Sequence, residues 1–409
     1  MLLFSIRQAL AALLVAVLVS ACGGSGSAAP PPVGGITVKP GDGSATITWT
    51  STPDVKYWLF YAPSNSISST DWINIPGSQA ILNVSSPHVV TGLANGYTYS
   101  FTVNARNGDG PGGPGTPSVS AVARPAGGTW KAGTTLGSGT MRSITYGTST
   151  TDSLGYYLAV GDGGATYRST DGLSWSAIGA AANTDMNAAI YTLSKFIVVG
   201  KAGSIAYGTD MTTWTVAATG TTENLNALAS SGAVAVAVGN KGTLRTSVDG
   251  ATWTTVTVPT TQNLYAVSYS GSGVWMAVGA AGTLLTSTDT VTWTAVASGT
   301  GADLRSVAVQ ASTTYTFVAT GNGGAVVRST DNGITWAAQT SNTTADLLAV
   351  SPTSSQFLAV GTDGAVITSP NGITWTTRTS GTAAGLYAVL SGFAQYVVVG
   401  QNGTNINSQ

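Results

Sequence analysis

The sequence predicts an all-β protein, a β-sandwich followed by a seven-bladed β-propeller. Glycine stands eight residues ahead of a small residue seven times: Gly161 and Ser169, Gly200 and Gly208, Gly239 and Ser247, Gly279 and Ser287, Gly321 and Ser329, Gly361 and Ser369, Gly400 and Ser408. Tryptophan follows six of these pairs (Trp175, Trp214, Trp253, Trp293, Trp336, Trp375), recurring about every 40 residues, the spacing of four-stranded blades. Ahead of the repeats, short runs alternate apolar and polar residues, and no long amphipathic helical pattern occurs anywhere.

In chain order, residues 1–22 come first. Arg7 precedes the apolar run Ala9 to Val19, then Ser20, Ala21 and Cys22. That run is too short to span a bilayer and ends at small residues, so it reads as an export signal. Val19-Ser20-Ala21-Cys22 resembles a bacterial lipobox, which implies acylation of Cys22 and a membrane anchor through it. The alternative is an ordinary signal peptide with a chance cysteine. The glycine at position 23 favours outer-membrane sorting by the same resemblance. Gly23 to Pro32, rich in Gly and Ser and ending in three prolines, is expected to act as a tether.

Residues 33–126 form the expected sandwich. Ala45, Ile47 and Trp49 share one face of a strand, Lys56 to Tyr61 makes a second, and Tyr97, Tyr99, Phe101, Val103 and Ala105 share a face of a long third strand. The run Leu93 to Ala105 resembles the E–F corner of fibronectin type III domains, with Trp49 as the early core tryptophan and Tyr99 as the corner tyrosine. A structural module is the expected role of this domain.

Residues 127–409 carry the repeat. One unit reads as a leucine-led strand (Leu264 to Val267), a buried strand (Val274 to Val278), a glycine turn, a third strand (Thr283 to Ser287), a polar turn and the tryptophan strand. The last unit runs only through its third strand, and Gly128-Thr129-Trp130-Lys131 supplies the missing fourth from the other end of the domain. A ring closed in this way has no free edge between its ends. The polar turn Ser329-Thr330-Asp331-Asn332-Gly333-Ile334-Thr335-Trp336 resembles the Asp-box of the BNR repeat. Asp171, Asp210, Asp249, Asp289, Asp331 and Asn371 occupy its Asx position and are expected to be structural, since Asx oxygens accept nearby backbone amides. Units at Gly208 and Ser287 lack the box glycine. The shorter box with its Ala-Val-Gly-x-x-Gly turn resembles the photosystem II stability and assembly factor family of propellers. The resemblance implies a non-catalytic binding role.

Chemistry is sparsely represented. Charged residues make up 8% of the 409 residues with a net charge of −1, which excludes an electrostatic footprint for nucleic acid. There is one His, one Cys and a single Glu, Glu223; no metal site or cofactor is expected. The residues flanking the blade-opening Leu or Met form two columns that should surround the propeller mouth. The preceding column holds Asp185, Asp303 and Asp346; the following one holds Arg142, Asn187, Asn226, Tyr265, Arg305 and Tyr387. These are the candidate ligand-binding residues, for a protein partner or a polysaccharide of the cell envelope. Two other readings stay open: a glycoside hydrolase using the mouth aspartates, and a spacer whose mouth is polar only because water fills it.

Overall fold

A computed structural model describes residues 26–41, 43–94, 97–123, 127–311, 315–353, 355–392 and 395–408. Cys22 and the apolar run before it lie outside these residues. The chain divides into two compact units, Met1–Pro125 and Ala126–Gln409. Among the described residues no helix is long and apolar enough to cross a membrane.

The first unit is a two-sheet sandwich. Its strands are β1 (Ser27–Ala29), β2 (Thr37–Gly41), β3 (Ser44–Thr48), β4 (Val55–Ala62), β5 (Gln79–Val84), β6 (His88–Thr91), β7 (Thr98–Asn107) and β8 (Val119–Val122). One sheet runs β2-β3-β6; the other runs β1-β7-β4-β5, with β8 also on β7. Alternation in β3 and β7 buries Ala45, Ile47, Phe101, Val103 and Ala105 at no more than 1% exposure, with Trp49 closing the core against Tyr57. The Tyr99 hydroxyl accepts the Ala94 amide at 3.1 Å, tying the corner.

Two expectations need correction here. The stretch expected as a tether contributes β1, which pairs with Ala105–Asn107 of β7. The cause is the length of β7: β8 covers only Thr98–Phe101, and beyond it the edge is met only by single bonds from loop residues such as Gly113 and Thr116, which leaves room for a further strand. Tyr97 does not join the core face either. It precedes β7, its amide turned back to the Ala94 carbonyl, and is 64% exposed.

The second unit contains, among the described residues, seven four-stranded antiparallel sheets. Their innermost strands are Met141–Thr148, Met186–Thr192, Leu225–Ser230, Leu264–Tyr269, Leu304–Gln310, Leu347–Pro352 and Leu386–Gly392, opening blades 1 to 7. Each packs on the next, and the seventh packs on the first. Closure follows the expected route: Ile406, Asn407 and Ser408 pair antiparallel with Ala132, Lys131 and Trp130. Seven separate apolar clusters lie between neighbouring blades, one per joint, including that of Leu136, Met141 and Tyr157 with Val397 and Val399. The blade-opening Met and Leu residues are at most 1% exposed. Each such burial contributes about 1.5–3 kcal/mol, and no blade could bury these faces alone.

Within a blade, tight turns join the second and third strands, as at Gly321 to Gly324. The first glycine allows close approach: a Cβ on Gly321 would lie 1.9 Å from the Asp303 carbonyl oxygen. The residue two further on and its neighbour take left-handed conformations, Gly323 at φ 64° and Gly324 at φ 74°.

Candidate functional site

At the end of each blade bearing these turns, the innermost strand begins with a β-bulge. Register shifts fall between Met141 and Ser143, Met186 and Ala188, Leu225 and Ala227, Leu264 and Ala266, Leu304 and Ser306, Leu347 and Ala349, and Leu386 and Ala388. The extra residue in the seven bulges is Arg142, Asn187, Asn226, Tyr265, Arg305, Leu348 or Tyr387. A bulge leaves its residue out of the ladder and re-aims its side chain. The whole following column, read from sequence as a candidate surface, is thus built on one repeated backbone irregularity. All seven are half-buried.

The preceding column has a different task. Asp185 accepts the Gly163 amide at 2.8 Å, Asn224 that of Ala202, Asn263 that of Lys241, Asp303 that of Ala281 at 2.9 Å and Asp346 that of Gly323 at 2.7 Å. Each bond runs from one blade's turn to the next blade's opening, so five of the seven joints carry an Asx staple. Gly385 and Thr140 stand at the other two joints. The Asp185 carboxyl is held below the usual carboxylate range by the Gly163 amide and then by Lys201.

Asn187 and Asn226 also reach across joints, donating to the Leu225 and Leu264 carbonyls at 2.9 and 2.8 Å. Arg142 donates twice to Asp162, at 2.9 and 2.6 Å, while Lys201 pairs with Asp185 at 2.5 Å. Arg305 donates to Asn322 at 2.8 Å and Asp303 at 3.2 Å, with its guanidinium carbon 4.2 Å from the centre of the Tyr265 ring. Tyr265 in turn reaches Asp303 at 3.5 Å. The Tyr387 hydroxyl makes no hydrogen bond among the described residues; its ring lies beside Gly385.

A second feature of this end escaped the sequence reading. Ser298 donates to the Thr300 carbonyl, and the Thr300 hydroxyl accepts the Ala302 amide; Ser341 and Thr343, and Ser380 and Thr382, repeat the arrangement. The signal was present as Ser-x-Thr-x-x-(Asp or Gly)-Leu in Ser298 to Leu304, Ser341 to Leu347 and Ser380 to Leu386.

The Asp-box turns sit at the opposite end. Asp171 accepts the Leu173 and Ser174 amides, Asp210 those of Thr212 and Thr213, Asp249 those of Ala251 and Thr252, and Asp289 those of Val291 and Thr292. Asn371 does the same for Ile373 and Thr374. Asp331 accepts the Thr335 hydroxyl and amide, which hold its carboxyl down at about 2. Where the box glycine is missing, Met211 and Thr290 occupy the same left-handed conformation, at φ 63° and 65°. Among the described residues no group of three or more His, Cys, Asp and Glu side chains could hold a metal ion.

Residues 30–121 match the family model of the fibronectin type III domain. No curated protein matches the sequence. Among solved structures, YCF48 from Cyanidioschyzon merolae is similar at 19% identity and a TM-score of 0.55, covering 68% of this chain and 98% of that one. A structure of YCF48 bound to D1 peptide aligns at 17% identity and a TM-score of 0.57, covering 68% of this chain and 96% of its own. These likenesses show the fold: a fibronectin type III domain followed by a propeller of four-stranded sheets.

Proposed function

We propose that the propeller is a non-catalytic scaffold that holds a protein partner at its mouth, with Tyr265, Arg305 and Tyr387 as anchors. The supporting observation is the sevenfold bulge, which presents one half-buried side chain per blade around a common mouth. Aromatic and guanidinium groups held in fixed positions lose little freedom on binding. Arg305 is held by Asn322, Asp303 and Tyr265, yet its side chain stays 31% exposed. The similar YCF48 structure that carries a D1 peptide supports a peptide segment as the kind of ligand. The mouth aspartates are occupied with backbone amides, which suits support of the surface rather than acid–base work.

On this reading the chain is exported and anchored through an acylated Cys22, so the partner is a protein of the cell envelope. Metabolic labelling with a palmitate analogue should mark the wild-type chain and not Cys22→Ser; equal labelling would remove the anchor. Crosslinking on intact cells, followed by pull-down with purified chain, identifies the partner. Arg305→Ala and Tyr387→Ala should each weaken its capture about tenfold or more with little change in melting temperature. Unchanged capture in both variants discards the mouth, and retention on a glycan array that Arg305→Ala and Tyr387→Ala abolish discards the protein partner.

A further inference from the structure

The sandwich carries a cavity of about 530 Å³ over the face of β4 and β7 that points away from the domain core. That size suits a small ligand. Trp58 and Phe60 of β4, together with Trp72, line its walls, and the Phe60 and Trp72 rings lie 5.4 Å apart. Asn104 and Arg106 of β7 line it too, directly opposite Trp58 and Lys56 in the strand register. The Arg106 guanidinium carbon lies 3.2 Å from the centre of the Trp58 ring.

The two polar residues that β7 contributes to the cavity are buried and incompletely bonded. Asn104 is 5% exposed and Arg106 9%. Among the described residues, Asn104 Oδ1, Arg106 Nε and Trp58 Nε1 have no hydrogen-bond partner. Arg106 donates, among the described residues, only a long bond, 3.4 Å, from Nη1 to the Gly110 carbonyl. Buried polar groups are nearly always paired, so two donors and one acceptor without partners on side chains that line one cavity point to a ligand there. Arg106 lies on the Trp58 face, and Lys56 pairs with Asp109 at 2.6 Å. At the rim, a bulge in the β4–β5 pairing accompanies Asn83 at φ 55°.

We propose that this cavity binds a neutral saccharide of one or two pyranose units. A sugar hydroxyl both accepts, as from Arg106 Nε or Trp58 Nε1, and donates, as to Asn104 Oδ1. The C–H face of a pyranose packs against an aromatic wall, here Phe60 and Trp72. A carboxylate or phosphate has no proton for Asn104. A peptide would enter along a sheet edge or groove, whereas this cavity lies over the two central strands of its sheet.

The test is independent of the propeller mouth. The full chain is titrated with glucose, galactose, N-acetylglucosamine and their β-linked disaccharides, following indole fluorescence and the Trp58 Nε1–H resonance. At least one sugar should shift that resonance saturably, and Trp72→Ala and Arg106→Lys should each weaken its binding at least tenfold. Arg305→Ala should leave it unaltered. Should either variant fail to fold, the Trp58 resonance of the wild-type chain decides alone. No saturable shift with any sugar overturns the proposal, as does binding that both cavity variants leave intact. A response to glucuronate or to peptides but to no neutral sugar overturns it equally.

Discussion

The Asp-box turns and the propeller mouth use one device at opposite ends of the blade: an Asx oxygen accepting backbone amides. At the box, Asp249 receives amides two and three residues further along the chain. At the mouth, Asp346 receives the Gly323 amide from the preceding blade. The first bond shapes a turn within one blade; the second couples two blades. The mouth column therefore adds to the apolar joints in coupling blades, and the box shapes each blade. The two joints without a staple, at Gly385 and Thr140, flank the blade assembled from both ends of the domain. There, closure relies on backbone pairing and on contacts such as the Gly403 amide with the Gly139 carbonyl at 2.8 Å.

The contrast can be broken first by deletion. Asp303→Ala removes a joint staple and the carboxylate under Arg305, and should cost the propeller about 2 kcal/mol in denaturant unfolding. Asp331→Ala removes a local turn acceptor and should cost about 1 kcal/mol, by analogy with helix caps. Equal losses would erase the distinction between coupling and shaping.

Acid offers a second handle. The Asp331 carboxyl lies at about 2, below the ordinary unfolded value of about 3.9. A carboxyl depressed on folding contributes stability that is fully present above its unfolded value and lost as pH falls toward the folded one. The propeller should thus lose stability below about pH 4. Asp331→Asn should remove its share of that loss and leave the share of the other depressed carboxyls such as Asp171, Asp210 and Asp289; an acid limb identical to that of the wild type counts against the assignment.

Smaller effects sharpen the comparison. Thr290 is β-branched at positive φ, so Thr290→Gly should raise stability by about 1 kcal/mol while keeping the carbonyl that Trp293 bonds. Met211→Gly should not, because Met211 is fully buried in the joint between blades 1 and 2. Smallest of all, Gly385→Asn would add a staple toward blade 6. The nearest atoms a Cβ there would meet are the Gln401 amide oxygen at 3.0 Å and the Tyr387 ring at 3.2 Å, both of which would have to give slightly. A gain of about 0.5 kcal/mol is expected in the same unfolding measurement; a loss would show that the joint is already filled.

Much of the ring was legible because its determinants are local or periodic. The blade-opening leucines, the glycine turns and the tryptophans each mark a fixed place in a repeated unit, and the displaced Trp130 announced the closure. The Asp-box was legible for the same reason. Parts of the mouth were not: a bulge is a mismatch between two strands, and nothing in Leu304-Arg305-Ser306 taken alone announces one. The joint staples link positions 22 or 23 residues apart, so Asp185, Asp303 and Asp346 read as free mouth carboxylates. β1 was hidden because Gly, Ser and Pro signal a flexible stretch unless a long neighbouring strand needs an edge covered. On β7, Asn104 and Arg106 fall at alternate positions that look like a solvated face.

By itself, the order of residues determined how many blades there are, where each turns and which side chains face the joints, because those choices follow from short-range sterics and the period of apolar positions. Tertiary structure alone decided which polar groups hold the ring together and which remain open in the sandwich cavity. Hydrogen bonds act over about 3 Å, and only folding brings residues distant in the chain within that reach.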